Sequence, residues 1–444
     1  MMAGGGAIYW RQEGSKRLKE ILARPKLDKP AKNIVLFIGD GMGISTTTAA
    51  RIFRGQQVEG NFGEEAVLSF ENFPYTSLIK VRILPTPHSL RSGMVAHSIC
   101  RATVEPLVVD PLRMGAPDES TYATDYQVSD SASTATAMFS GTKTKMKYIG
   151  MDATGTGGNC THGAIEGVLT WAQRAGKHTG LVTTSRVTHA TPGALYAHVP
   201  DRNWEHAIPI DGTADCVDIA RHLIQREPGR NIRVVLGGGL SEFCPMDMSN
   251  CYANLTVAQR RRVKVFSDSV SCKRTDCIDL ISEWERDKAK RGANYQMVLN
   301  VKDFRQLNIA KTDFLMGLFA DSHMDYEIER TSEQPSLAEM TTTAIKILQK
   351  NQKGFFLMVE ASRIDHALHM NRAHVALKDV LALDEAVRQT AKMLNSEESL
   401  ILVTADHSHV MTINGYPKRG ENILGNANKF VTTSLLQSSA ARMN

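Results

Sequence analysis

The stretch Asn33-Ile-Val-Leu-Phe-Ile-Gly-Asp40 is a short continuous apolar run that ends in a carboxylate. Two later runs share this design, Gly354-Phe-Phe-Leu-Met-Val-Glu360 and Ser399-Leu-Ile-Leu-Val-Thr-Ala-Asp-His407. Short apolar runs bounded by turn residues are typical of buried strands in a parallel sheet. In open α/β sheets the ligand crevice lies outside the carboxyl ends of the strands. The three runs therefore predict that acidic groups from distant parts of the chain meet in one crevice.

Carboxylates gathered in one crevice repel one another unless cations lie between them. For any one strand, the alternative is that its acidic residue caps the helix that follows, where aspartate is common. Taken together, and with histidines nearby in the sequence, the three strand ends favour a metal site.

The composition is that of a large globular protein. The chain has 444 residues, 42% of them hydrophobic, which is enough for a large core. Strand and helix patterns alternate to about residue 410 without a Pro/Gly/Ser-rich linker, so we expect one α/β domain with inserted loops. Basic residues are scattered and form no stripe with aromatics, so no nucleic-acid partner is expected. No apolar run reaches the roughly 18 residues that a transmembrane helix needs.

Periodicity predicts further elements around these three strands. Strands are predicted at residues 179–184, 232–236 and 313–319, and helices at 45–54, 161–176, after Pro335, and at 372–394.

The run of small residues at 129–137 predicts a helix that begins after a loop, close to Ser131. A serine there faces unpaired backbone N–H groups and the positive end of the helix dipole. The alternative is a plain N-cap, a position that serine suits. Because the chain has no Gly-x-Ser-x-Gly motif, a nucleophilic serine needs another activator, and metal coordination is the obvious one.

Two further pairs of residues combine oxygen and nitrogen donors. Asp365 and His369 are four apart and share one face of a helical turn, which suits zinc. Asp406 and His407 offer another such pair at a strand end, and His409 follows. The alternative for His369 is an ordinary surface histidine.

The loop after the predicted strand at 179–184 carries His189 and Thr191 in the same topological position. Arg202 follows and is suited to bind a phosphate group through two hydrogen bonds. A lone loop arginine is more often simply solvated.

Cysteines and sequons indicate export. The N-terminus has no apolar segment of a signal peptide, yet the chain has seven cysteines without CxxC or zinc-finger spacing, so disulfides fit better than metal. Asn159 and Asn254 begin glycosylation sequons. We expect an exported glycoprotein whose start is missing from this chain.

Several of these motifs, in order and spacing, resemble the metazoan, insect-like alkaline phosphatase family over most of residues 8–425. The matching stretches are residues 33–43, 128–137, 183–204, 234–239, 354–369 and 402–409. The resemblance implies an α/β three-layer sandwich with a large, mostly parallel sheet flanked by helices. It also implies a homodimer, two Zn²⁺ ions beside one Mg²⁺, and hydrolysis of small phosphate monoesters at alkaline pH through a phosphoserine.

The resemblance assigns roles residue by residue. Ser131 resembles the nucleophile and Arg202 the phosphate-binding arginine. The other residues resemble metal ligands or their neighbours: Asp40 shared by one zinc and the magnesium, Asp406 and His407 for that zinc, Asp365 and His369 for the other zinc, Glu360 and Thr191 for magnesium, and His189 close behind them. Cys160 and Cys216 resemble a family disulfide.

The chain departs from the family pattern in three places. Residues 82–120 interrupt the match and are either a surface loop or a retained intron. The tail at 426–444 is unmatched, without the family's later zinc-binding histidine and anchor region, so we expect an impaired zinc site at Asp365 and His369. Family calcium ligands have no clear counterpart, since Ala320-Asp321 and Gln334-Pro335 stand where acids are expected.

These observations predict a metal-dependent phosphomonoesterase found outside the cell or at its surface. One alternative is a related metallo-hydrolase acting on phosphodiesters or sulfate esters, although Ser131 lacks the Cys/Ser-x-Pro-x-Arg context of a sulfatase. Another is a weakly active or non-catalytic truncated product.

Overall fold

A seven-stranded sheet forms the centre of this computed structural model, which describes residues 11–12, 15–16, 18–19, 30–75, 123–208, 215–246, 271–415 and 417–425. The strands are β1 (Asn33–Gly39), β2 (His178–Arg186), β3 (Val234–Gly238), β4 (Tyr295–Val298), β5 (Phe314–Leu318), β6 (Phe355–Ala361) and β7 (Ser399–Ala405). They lie in the order β4-β5-β3-β2-β6-β1-β7, and each neighbouring pair is parallel.

The α-helices of the described part flank this sheet. They are α1 (Ile44–Arg54), α2 (Ser131–Ser140), α3 (Val168–Arg174), α4 (Ala190–Gly193), α5 (Ile219–Gln225), α6 (Leu280–Lys290), α7 (Val301–Arg305), α8 (Leu337–Leu348), α9 (Arg363–His369) and α10 (Ala373–Met393). Short 3₁₀ turns at Ser69–Asn72, Gly229–Asn231, Leu240–Glu242 and Ile309–Lys311, and a π-turn at Gly55–Glu59, join them.

Each face of the sheet is covered by its own hydrophobic core. On β1, Val35 and Phe37 pack into one core, whereas Ile38 packs into the other with the partly buried Ile34 and Leu36. A strand buried on both faces needs apolar residues at successive positions, which is why these runs do not alternate. The predicted α/β architecture with helices on both sides of a parallel sheet is confirmed.

The register brings the acidic strand ends together. β1 lies between β6 and β7, with Ile38 paired to Glu360 and Gly39 paired to Ala405. Asp40 and Asp406 therefore leave adjacent strands at the same level, two residues beyond the level of Glu360. The convergence predicted from the three apolar runs is thus present in the fold.

The helix predicted at 161–176 is wrong in its first half. Helix α3 begins only at Val168, and the preceding residues form turns with an antiparallel bridge between Met151 and Ala164. Gly163 adopts φ +82°, a left-handed conformation that breaks the helix, and Cβ at this position would clash with Gly155. The turn at Gly163 therefore determines the local structure before Val168, although the apolar residues there have helical spacing.

Two disulfides tie the loops beside the sheet. Cys160 pairs with Cys216 across a Cα–Cα distance of 5.1 Å, as the family resemblance implied, and Cys244 pairs with Cys272. Cys277 is also disulfide-bonded. Cys100, Cys251, Asn254, the segment 82–120 and the tail 426–444 lie outside the described residues. Among the described helices, none has the length and apolar character needed to cross a membrane.

Candidate functional site

Three buried carboxylates, Asp40, Glu360 and Asp406, form the floor of the crevice. Burial raises the pKa of Asp40 well above its ordinary value, and the negative charges of Asp406, Asp365 and Glu360 raise it further. Burial together with Asp406 raises the pKa of Glu360 to about 7, against hydrogen bonds from Thr183 and Ser185. Such a concentration of acids is costly without a compensating cation.

Oxygen atoms of these acids lack the donors that buried carboxylates require. Asp40 Oδ2, Glu360 Oε1 and Asp365 Oδ1 are buried and have no hydrogen-bond partner among the described residues. A buried acceptor without a partner costs its full desolvation energy. Cations at these oxygens would remove that cost, so the donor set fits the metal ions that the sequence predicts.

Ser131 lies at this floor, at the first position of α2. The N-cap of α2 is Asp130, whose side chain accepts a hydrogen bond from the Ser133 N–H, so the plain N-cap alternative for Ser131 is wrong. The Ser131 hydroxyl lies 3.3 Å from both Asp40 Oδ1 and His407 Nε2. Its side chain is therefore directed into the crevice by the first turn of the helix.

The orientation of His407 is set by the backbone. Its Nδ1 lies 2.9 Å from the Ser408 carbonyl, which only accepts, so Nδ1 carries the hydrogen. Nε2 then presents a lone pair 3.5 Å from Asp40 Oδ1 and 3.4 Å from Asp406 Oδ2. Histidines that bind metals usually donate their other N–H in this way. Asp40, Asp406 and His407 thus form one set of donors for a cation.

Asp365, His369 and His409 form a second set. His369 Nε2 lies 3.3 Å from Asp365 Oδ2, one helical turn apart on α9, and His409 Nε2 lies 3.5 Å from Asp365 Oδ1. Facing donor atoms of the three lie within 4.8 Å of one another. His409 is thus a third donor beside Asp365 and His369, the two residues assigned to this position from the sequence. The sequence indicated no separate role for His409, although its i+2 spacing from His407 was an available signal.

The predicted magnesium ligands come from β6 and from the segment that follows β2. Glu360 is the penultimate residue of β6, and its Oε2 accepts a hydrogen bond of 2.5 Å from Thr183 on β2. Thr191 is fully buried in the short helix α4, for which His189 is the N-cap. Strands β2 and β6 are neighbours, which explains why these residues from different loops meet.

Arg202 is held in place, so the simple solvated alternative is wrong. Its guanidinium donates to Asp130 Oδ2 and to His189 Nε2, each at 3.1 Å. Asp130 immediately precedes Ser131, so the positive charge lies beside the start of α2. A phosphate group there would meet a guanidinium and the helix N-terminus together.

A cluster of histidines and arginines beside Arg202 was not found from the sequence. It comprises His189, His323 and His366, with Arg186 and Arg363. Burial, then Arg186, lowers the pKa of His323 to about 2, and burial, then Arg363, lowers that of His366 to about 3. All the imidazoles of this cluster are therefore neutral near pH 7. No local sequence pattern links these loops, which only the sheet brings together.

Comparisons with known proteins show the family of the chain. A family model described as alkaline phosphatase matches residues 31–104 and 102–436. The chain is 41% identical to alkaline phosphatase 4 of Drosophila melanogaster over 95% of its length, spanning 64% of that relative. It is 38% identical to the tissue-nonspecific isozyme of Gallus gallus, covering 94% of this chain and 71% of the relative. A membrane-bound alkaline phosphatase of Bombyx mori is 35% identical, with 94% and 68% covered.

Solved structures show the same fold. The alkaline phosphatase of the Antarctic bacterium TAB5 matches with a TM-score of 0.59 at 22% identity, covering 89% of this chain and 84% of that one. The Thermus thermophilus enzyme matches with a TM-score of 0.60 at 23% identity, covering 94% and 70%. A variant of the TAB5 enzyme was solved with magnesium bound.

Proposed function

The chain belongs to the alkaline phosphatase family, and on that premise we propose that it hydrolyses phosphate monoesters through a phosphoserine formed on Ser131. The observation that carries this proposal is the position of the Ser131 hydroxyl, 3.3 Å from both Asp40 Oδ1 and His407 Nε2. Both atoms belong to the proposed ligands of one zinc ion, so the hydroxyl lies beside the position where a cation would lower its pKa. Arg202 lies across the start of the same helix, where a phosphate would be held.

The ligand assignment follows the three groups of donors. Asp40, Asp406 and His407 would hold one Zn²⁺, and Asp365, His369 and His409 another. Asp40, Thr191 and Glu360 would hold Mg²⁺, whose preference for oxygen ligands fits this set. When bound, the ions supply positive charge that lowers the pKa of oxygen ligands and stabilises charge on the transferring phosphoryl group.

The chain's own residues supply positioning. Ser131 Oγ attacks phosphorus while the bond to the ester oxygen breaks, so the phosphoryl group passes to serine and the alcohol leaves. Water then attacks the phosphoserine, which releases inorganic phosphate and restores the hydroxyl. Arg202 binds the non-bridging oxygens throughout, through two parallel N–H···O bonds. Holding the reacting groups in line is the main contribution that a protein makes to this reaction.

The two proposed zinc positions differ in exposure. The side chain of His369 is 66% exposed, whereas that of His407 is 18% exposed. Water competes more readily for the exposed position, so we propose weaker zinc binding at Asp365, His369 and His409. The impaired zinc site expected from the sequence is therefore proposed as a site of lower zinc affinity.

We also propose that the protein works outside the cell or at its surface. The disulfides Cys160–Cys216 and Cys244–Cys272 support an oxidising compartment. Asn159 is exposed, as a glycosylated residue must be. A homodimer stays a proposal from the family, and light scattering on purified protein tests it.

Acid-quenched labelling with radioactive inorganic phosphate tests the proposed reaction. We expect labelled protein from the parent chain and none from Ser131→Ala. The Ser133→Ala variant is the matched control, because Ser133 lies in the same turn but bonds Asp130 rather than the crevice residues. Equal labelling of Ser131→Ala and the parent would refute the nucleophile.

A further inference from the structure

Three imidazoles converge beside Arg202 in a way that suggests a metal site at first sight. One ring nitrogen each of His189, His323 and His366 lies within 4.8 Å of those of the other two. Their ring centroids are 4.3 to 5.4 Å apart. Three histidines are also the ligand set of some catalytic zinc sites.

Each of these histidines accepts a hydrogen bond from an arginine. The pairs are Arg202 with His189 Nε2 at 3.1 Å, Arg186 with His323 Nε2 at 2.7 Å, and Arg363 with His366 Nδ1 at 3.1 Å. A guanidinium has no lone pair and can only donate, so the nitrogen that faces it must accept. The arginines thereby fix the tautomer of every ring in the cluster.

The remaining nitrogen of each neutral ring therefore carries a hydrogen. These N–H donors are His189 Nδ1, His323 Nδ1 and His366 Nε2. Nδ1 of His189 and of His323 are both buried without a hydrogen-bond partner among the described residues. A metal would need lone pairs at these positions, and metal-binding histidines normally give their other N–H to a carboxylate or carbonyl. The cluster has the opposite arrangement.

The surrounding charge also disfavours a cation. Positive guanidinium groups contact every ring of the cluster, and Arg363 lies with its central carbon 3.7 Å from the centre of the Tyr326 ring. Buried N–H donors that lack partners, next to positive charge, require an acceptor that carries negative charge.

We propose that the cluster of His189, His323 and His366 is a second anion subsite that takes an oxygen of a phosphate group. The inference rests on the proposed function, because Arg202 links the two sites by donating both to Asp130, beside Ser131, and to His189. The anion has two sources. It is either the second phosphate of a substrate such as inorganic pyrophosphate, or free inorganic phosphate.

Steady-state kinetics test the first source. The KM for pyrophosphate is divided by the KM for p-nitrophenyl phosphate, which has one phosphate only. We expect this ratio to rise about tenfold in His323→Phe, as for the loss of one charge-assisted hydrogen bond. His323→Gln keeps an N–H donor and should retain most of the parent ratio. His162→Phe, at an exposed histidine, is the control for a His-to-Phe change.

Isothermal titration calorimetry with inorganic phosphate tests the second source without turnover. We expect a second, weaker binding event in the parent protein and in His323→Gln, and its loss in His323→Phe. A change in either the KM ratio or the second binding event supports the anion subsite. Identical results for the parent and His323→Phe in both measurements would overturn it.

Elemental analysis distinguishes the proposed anion subsite from a metal site. Elemental analysis of the same preparations should give equal zinc per chain in the parent, His323→Phe and His323→Gln. A loss of one zinc in His323→Phe would show a metal site and overturn the proposal. Absence of turnover by the parent would instead contradict the proposed function, and the calorimetric result would still stand.

Discussion

The Ser131 hydroxyl lies 3.3 Å from Asp40 Oδ1, although 91 positions separate the two residues in the sequence. Asp40 also lies 3.5 Å from His407 and is buried among three other carboxylates that raise its pKa. Its Oδ1 lies beside Ser131 and His407, whereas its buried Oδ2 has no hydrogen-bond partner among the described residues. A single carboxylate therefore connects the proposed nucleophile with the proposed zinc and magnesium positions.

Removing the charge of Asp40 should empty more than one metal position. We expect Asp40→Asn to lose magnesium and one zinc together, because both groups of donors include this carboxylate. Elemental analysis per chain checks this. Asp379→Asn is a matched control, since Asp379 is equally buried but lies in α10, away from the crevice. Loss of only one ion from Asp40→Asn would show that the carboxylate is not shared.

Arg202 should contribute to the binding of product phosphate. We expect Arg202→Ala to raise the inhibition constant of inorganic phosphate by about 10- to 150-fold, from roughly 1.5–3 kcal/mol for a hydrogen bond to a charged group. Arg202→Lys should recover only part of this, because lysine cannot form two parallel bonds. Arg174→Ala, at an exposed arginine, provides the control. An unchanged constant in Arg202→Ala would mean that the guanidinium does not contact phosphate.

The two proposed zinc positions should empty at different chelator concentrations. We expect dipicolinate to remove the zinc at Asp365, His369 and His409 first, because His369 is largely exposed. His409→Ala should lower the affinity of that zinc further and leave the other in place. Zinc release can be followed with a chromogenic indicator. Simultaneous release of both ions from the parent, or no change in His409→Ala, would contradict the ligand sets.

Stability should fall as pH rises because of Asp379. Burial, with the charges of Glu327 and Glu329 against Arg363, raises the pKa of this carboxyl to about 8 in the folded protein, above its ordinary value of 3.8. The neutral carboxyl contributes fully to stability below about pH 4, where the unfolded chain is protonated too. That contribution is lost as the pH rises from about 4 to about 8. Asp379→Asn should therefore have a smaller drop in Tm between pH 5 and 9. An equal drop in Tm in both proteins would show that ionisation of Asp379 costs the folded protein no stability.

The disulfide between Cys160 and Cys216 should stabilise the loops beside the sheet. It closes a separation of 56 residues, and removing such a bridge costs about 2–5 kcal/mol in free energy of unfolding. We expect Cys160→Ser with Cys216→Ser to lower the midpoint of urea unfolding accordingly. Non-reducing peptide mapping of secreted parent protein should recover the linked peptides. Free thiols at both positions in that material would refute the bridge.

Local sequence information was sufficient where one short segment determines the type of a strand or the face of a helix. The apolar runs of β1 and β6 pack against both cores, and that of β7, at the edge of the sheet, is partly buried, so their strand type and their acidic ends could be read directly. Asp365 and His369 share a helical face by spacing alone. In contrast, the turn at Gly163 overrode a helical pattern whose spacing was otherwise favourable.

Long-range packing determined what the sequence did not show. His323 lies in the loop after β5 and His366 in helix α9 after β6, and nothing in their flanking residues indicates that they meet. His409 was visible beside His407, but its proximity to Asp365 depends on how β7 leaves the sheet. Such contacts require the strand order, which a single sequence does not specify.

The strand order has a consequence for synthesis on the ribosome. β1 is translated long before both of its neighbours, β6 and β7, and Gly41 donates to Asp406 across 365 positions. Until then this apolar strand has neither partner, and unpaired strand edges in a growing chain are prone to aggregation. Nascent chains should therefore depend on chaperones until β6 and β7 have been made, and the crevice between these strand ends should form only after that.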